Sequence, residues 1–165
     1  DADNFYLGIQ VVDNKFVQTA QGNDIYRGDS LELMLDANLS GDFNNDYLDE
    51  DDYQLGISPG NLNSAESKAE AYLWSPLENF GTVDEILIAS GFTDVGYTME
   101  IAIPWGVFGA MASEDTQFGF LLGISDNDFV NQNLQQSIVS FAPERDLNDP
   151  TGWYTLVLSM PEPVE

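Results

Sequence analysis

The sequence predicts an all-β chain folded as an antiparallel sandwich of two sheets. Three observations carry that reading. Short stretches in which every second residue is apolar recur along the chain, clusters of Gly, Pro, Asn and Asp separate them, and no window shows convincing helical periodicity. Phe5, Leu7, Ile9 and Val11 alternate with Tyr6, Gly8, Gln10 and Val12, a strand ended by Asp13-Asn14. Residues 14–24 are polar and read as a long loop. Leu31, Leu33 and Leu35 then alternate with Glu32, Met34 and Asp36, the period of a strand with one buried face.

After an acidic loop, Tyr53, Leu55 and Ile57 alternate with Gln54, Gly56 and Ser58, and the run from Ser58 to Asn63 is a turn cluster. Ala69 to Trp74 and Glu85 to Ala89 are candidate strands, and Gly91 to Gly96 a further turn. Tyr97, Met99, Ile101 and Ile103 form the cleanest alternation in the chain, stopped by Pro104. Trp105 to Gly109 suits one helical turn. Phe118 to Ile124, Ile138 to Phe141 and Trp153 to Leu158 complete the strands.

The 165 residues fit one domain, and 43% apolar content is enough for a core. The formal net charge is −25, from 29 acidic residues against four basic ones, which argues against nucleic acid or an anionic membrane as a partner. No apolar run approaches a membrane span. Cysteine and histidine are absent, so thiol chemistry and the usual zinc, haem and triad constellations drop out. Asp1-Ala2-Asp3-Asn4 leads straight from a turn into the first strand. The expectation is a sandwich over 1–159 that lacks its first strands, with the Pro/Glu-rich residues 160–165 starting a linker.

The stretch from Asp36 to Asp52 concentrates Asp36, Asp42, Asp46, Asp49, Glu50, Asp51 and Asp52 with Asn38, Asn44 and Asn45, and no Lys or Arg occurs between Arg27 and Lys68. Like charges held this close in an ordered loop need either solvation or a cation. Oxygen ligands without His or Cys point to Ca²⁺, held by Asp36, Asn38, Asp42, Asn44, Asp49, Asp51 and Asp52. The spacing Asp36-x-Asn38-x-Ser40-Gly41-Asp42 alternates oxygens as a calcium loop does, without the Glu that closes an EF-hand. Ser125-Asp126-Asn127-Asp128 is a second acidic turn, read as turn residues first and as a second cation site only after that.

Of the tryptophans, Trp105 and Trp153 read as core. Trp74, before Ser75-Pro76, and Tyr72 are the candidates for a surface that stacks on the C–H face of a sugar ring. Arg27-Gly28-Asp29 spells an integrin-recognition tripeptide and Asn38-Leu39-Ser40 a glycosylation sequon, and both are ordinary by chance. Asp51 and Asp52, as neighbours on a strand, point to opposite faces and cannot flank one glycosidic bond, so hydrolysis is not expected.

The opening Asp-x-Asn-Phe-Tyr-Leu pattern, Tyr26-x-x-Asp29-Ser30-Leu31-Glu32-x-x-Leu35-Asp36, Asp51-Asp52-Tyr53-Gln54, Gly96 to Trp105 and Asp149-Pro150-x-x-Trp153-Tyr154, in that order, resemble the family 9 carbohydrate-binding modules, DOMON-like β-sandwiches. The resemblance implies a jelly-roll-like, non-catalytic sandwich with structural Ca²⁺ that grips sugar chain ends between two aromatic rings. It places Tyr26 as one ring and Glu32 as a contact to hydroxyls. The second ring's position, before Asp149, holds Arg145, Asp146, Leu147 and Asn148, and Gly56 stands where an Arg is expected. The binding set expected here is Tyr26, Glu32, Gln54, Trp74 and Asn127, with a polysaccharide or oligosaccharide as partner and an extracellular or cell-surface setting. The alternative is a Ca²⁺-rigidified module of a surface layer, adhesin or filament that assembles by strand addition at an open sheet edge.

Overall fold

A computed structural model describes residues 1–64, 67–142 and 146–159. Its strands are β1 (Asn4–Val12), β2 (Ser30–Asp36), β3 (Asp52–Ser58), β4 (Glu70–Ser75), β5 (Gly81–Thr82), β6 (Leu87–Thr93), β7 (Gly96–Pro104), β8 (Gln117–Asp126), β9 (Ser137–Ser140) and β10 (Tyr154–Val157). They form two sheets. The small one runs β1-β7-β6. The large one runs β10-β8-β2-β3-β4-β5, with β9 also paired to β8, further along the edge that β10 occupies. Every pairing is antiparallel. The predicted all-β, two-sheet sandwich is the observed fold.

The main core lies between the sheets. Leu31, Leu33 and Leu35 from β2, Leu55 and Ile57 from β3 and Leu73 from β4 meet Tyr97, Met99, Ile101 and Ile103 from β7. Trp105 and Phe118 stack at 5.3 Å beside them, so Trp105 is core as expected. The 3₁₀ turn Trp105–Phe108 occupies the site of the predicted helical turn.

One expectation needs correction. All seven residues of β2 are buried, not one face alone. β2 is central, flanked by β3 and β8, and its outer face is roofed by the segments after β8. Met34 packs there with Leu121, Ala142 and Trp153 in a second apolar cluster. The period of two in this strand therefore separates two kinds of interior, not core from solvent.

Local differences have simple causes. The predicted turn over Gly91–Gly96 shrinks to Asp94-Val95, because Gly91 pairs with Thr98 and extends β6 to Thr93. Gly96, at φ 154°, makes the tight return, and a Cβ there would sit 2.1 Å from the Val11 carbonyl oxygen. β5 and the one-turn helix α1 (Leu39–Asp42) were not anticipated, being too short to show a period. Residues 160–165, expected to begin a linker, lie outside the described residues, as does Arg145.

Candidate functional site

The outer face of the large sheet carries an aromatic corner. Cross-strand pairing sets Glu32 opposite Gly56, and Gly56 opposite Tyr72, so these three share a face, with Gln54 two residues along β3. Trp74, next to a register shift between β3 and β4, lies across Gly56: a Cβ at that position would fall 2.3 Å from the indole Cη2. The indole Nε1 donates to the Asn23 carbonyl at 3.1 Å, which fixes the ring's tilt. Tyr26, from the 3₁₀ segment Gly22–Arg27, meets Trp74 edge to face, with centroids 6.0 Å apart at 78°. Tyr72 continues the patch 6.1 Å beyond Trp74, and Phe80 stands 5.2 Å from Tyr72. Arg27 lies against Tyr26, 5.4 Å from the ring centroid, and its Nε donates to the Tyr26 hydroxyl.

Polar groups border the corner. Glu32 is 3% exposed, and its Oε1 accepts from Ser125 Oγ at 2.8 Å and from Gln135 Nε2 at 2.6 Å. Gln135 also donates to Ser125 Oγ, so the three side chains hold one another in place. Half-buried rings beside fixed hydrogen-bonding groups are what a saccharide needs, because its C–H face stacks and its hydroxyls bond.

The acidic loop gathers at the far end of β2. One carboxylate oxygen from each of Asp42, Asp49, Asp51 and Asp52 lies within 4.8 Å of the others. α1 brings Asp42 in, and β3 begins at Asp52, opposite Asp36. Asp42 Oδ1 and Asp52 Oδ1 are buried without a hydrogen-bond partner among the described residues. Burial pushes Asp52 and Asp51 up to about 7 and Asp36 to about 6. Asp49 moves the other way, its charge supported by hydrogen bonds from Asp51 and Asn45. Ligands on one Ca²⁺ lie at most about 5 Å apart, given Ca–O bonds of 2.3–2.6 Å. The all-oxygen cluster, with these two oxygens unpartnered, fits such an ion. Asn38 is exposed and its side chain lies over Gly41, while Asn44 is exposed and Asn45 is the amide that reaches Asp49, at 2.9 Å.

A family model described as carbohydrate family 9 binding domain-like matches residues 1–160. The chain belongs to this family. It is a non-catalytic carbohydrate-binding module, as the resemblance implied. Among solved structures, the module is similar to a family 9 carbohydrate-binding module from Caldicellulosiruptor kristjanssonii in complex with glucose, at 16% identity and TM-score 0.68, covering 99% of this chain and 75% of that one. A second structure from that organism, in complex with cellotriose, is 16% identical with TM-score 0.66, covering 100% of this chain and 76% of that one. A search of curated proteins finds no match.

Four of the five expected binding residues of the module, Tyr26, Glu32, Gln54 and Trp74, come together on or beside one face. Asn127 does not join them as a free contact. It is 1% exposed, its Nδ2 donates to the Arg27 and Gln132 carbonyls, and its Oδ1 accepts from Phe129 N. It braces the turn that carries Tyr26. Gln135 and Phe80 were missed, since neither sits in an alternating stretch and only the fold brings them over β2 and beside Tyr72. The Arg27-Gly28-Asp29 tripeptide is unavailable for recognition in this fold, because Asp29 is buried and bonded to Val17 and Asn127.

Proposed function

We propose that the module binds neutral saccharides at the Tyr26–Trp74 corner and takes up Ca²⁺ in the Asp42–Asp52 loop, which stabilises a fold that forms without it. The observation that carries the sugar reading is the edge-to-face pair itself, laid over a glycine and bordered by Glu32, Gln54 and Gln135. A pyranose ring stacks on one aromatic face, and the second ring closes the corner at 78°. The side chain of Gln54 supplies hydroxyl contacts, with Glu32 bonding once Gln135 shifts. The neighbours solved with glucose and with cellotriose support a gluco-configured ligand. The net charge of −25 suits an uncharged polymer better than an anionic one. In an extracellular parent protein, the module raises the local concentration of an attached enzyme on its substrate, or tethers a cell to it.

Calorimetric titration of the Ca²⁺-loaded protein with glucose, cellotriose and a panel of other oligosaccharides tests this. Saturable binding is expected, weakened about thirtyfold or more in Tyr26→Ala, the loss of about 2 kcal/mol typical of an aromatic anchor. Absence of heat with every sugar, in a protein that still takes up Ca²⁺, would overturn the sugar reading alone.

A second reading, assembly by strand addition, has an observation of its own. Among the described residues, β1 is paired on one side only. Beyond it, Val139 and Tyr154, opposite Ile124 and Phe120, extend the inner face of the large sheet, with Phe141 between Phe120 and Tyr154. Val139 is 70% exposed and the two rings about half exposed. A strand from a second copy, laid along β1, would satisfy the open edge and cover this shelf. Sedimentation across a concentration series is expected to show self-association that Val139→Lys/Tyr154→Lys removes. A monomer at every concentration would sink the idea.

A further inference from the structure

β2 is bounded by acidic clusters at both ends. Asp29 immediately precedes the strand and Asp36 ends it, roughly 23 Å away at about 3.3 Å per residue. Around Asp29 gather Asp13, from the end of β1, and Asp126, which closes β8 and lies next to the partner of Ser30. One carboxylate oxygen from each of Asp13, Asp29 and Asp126 lies within 4.8 Å of the others. Three chain segments distant in sequence thus bring three like charges to one point, and no described lysine or arginine forms an ion pair with any of them.

The local hydrogen bonds account for part of this cluster. Asp29 Oδ2 accepts from Val17 N and Oδ1 from Asn127 N at 3.4 Å. Asp13 Oδ1 accepts from Lys15 N at 2.9 Å, and Asp126 Oδ2 from Ser137 Oγ at 3.0 Å. The Lys15 ammonium is turned to the Asp128 carbonyl oxygen. Asp13 Oδ2 and Asp128 Oδ1 are buried with no hydrogen-bond partner among the described residues.

An independent group points to the same place. Tyr97, on β7, is 1% exposed, and its hydroxyl has no hydrogen-bond partner among the described residues. Burial first, and then the charges of Asp29, Asp13 and Asp126, push its pKa up, so the phenol faces this cluster and stays neutral. An unmade hydrogen bond on a buried hydroxyl costs about 1–3 kcal/mol. A hard cation, with the phenol oxygen or a metal-bound water beside it, relieves the orphaned hydroxyl and the mutual repulsion together.

We propose that Asp13, Asp29 and Asp126, with the Tyr97 hydroxyl beside them, form a second divalent-cation site, separate from the acidic loop, that takes Ca²⁺. It fastens β1, β2 and β8 to one another at the end of the sandwich. Asp29 follows Tyr26 by three residues, so this ion also steadies the turn that presents the aromatic corner.

The competing way to relieve the cluster is a proton, since burial pushes Asp29 up to about 7. Calcium titration by calorimetry at pH 8 separates the two. The Asp42→Asn/Asp51→Asn variant, which disables the loop, is expected to retain a Ca²⁺ site. Adding Asp13→Asn/Asp126→Asn is expected to abolish it. Terbium bound to the loop-disabled protein and excited through its aromatic residues is expected to emit severalfold less in the Tyr97→Phe variant. If the quadruple variant does not fold, Asp13→Asn in the loop-disabled background replaces it, because the amide oxygen still accepts from Lys15 N. Its expected result is Ca²⁺ affinity lowered tenfold or more. A loop-disabled protein that takes up no Ca²⁺, or Ca²⁺ uptake unchanged by the Asp13 substitution, overturns the proposal and leaves the proton as the answer.

Discussion

In calcium-free buffer the protein is expected to melt at progressively lower temperature as the pH rises from about 4 to about 7, and saturating Ca²⁺ is expected to reverse that slope. Burial holds Asp29, Asp51 and Asp52 up to about 7 and Asp36 to about 6 in the folded protein, whereas unfolded aspartates titrate near 3.9. Between those values the folded state binds more protons than the unfolded one, so stability falls with increasing pH, and the loss is complete above the folded values. Asp49, shifted down, opposes this and is one group against five, since Asp42 is shifted up as well. The net charge of −25 at pH 7 adds self-repulsion in the same direction. Calcium binds only the ionised carboxylates and so favours the high-pH form. At a hundred times its dissociation constant, each ion adds about 2.7 kcal/mol, a rise of roughly 5–10 °C for a domain of this size. Differential scanning calorimetry with and without chelator, at several pH values, checks it. A melting temperature indifferent to Ca²⁺ at pH 7 would remove the cation from the fold.

Gly56→Ala is expected to weaken saccharide binding at least tenfold while leaving a folded protein. The new methyl would fall 2.3 Å from Trp74 Cη2 and 2.8 Å from Ile25 Cδ1, distances no side chain tolerates. Ile25 is fully buried, so the indole is what gives way, rotating off the strand and opening the corner it makes with Tyr26. Overpacking of this kind costs about 1–3 kcal/mol of stability, less than a domain's usual margin. Titration with the best ligand of the panel, beside a thermal melt, separates the two effects. Undiminished affinity in Gly56→Ala would show that the Tyr26–Trp74 geometry is not what the sugar reads.

These two predictions illustrate what was and was not legible in the sequence. The acidic loop could be read because its ligands are contiguous: Asp42, Asp49, Asp51 and Asp52 are close in the chain before they are close in space. Asp13, Asp29 and Asp126 looked like turn residues because nothing local joins them. Trp74 could be picked out as a surface aromatic beside a proline. Its dependence on Gly56 could not, because that contact is created by the shift in register between β3 and β4. Asn127 and Gln135 show the converse. Both are polar residues in a loop, and the fold makes one a brace for the Tyr26 turn and the other a partner of Glu32.

By itself the sequence determined the class of fold, the family, the strands with clean alternation and the acidic loop. Those follow from period, composition and motif order, which are local or additive along the chain. Only the tertiary structure decided that β2 is buried on both faces, that a second carboxylate cluster gathers around Asp29 near Tyr97, and that four aromatic residues from three segments form one patch. Strand order and register, set by the burial of all the apolar faces at once, decide which distant residues become neighbours, and no single stretch contains that information.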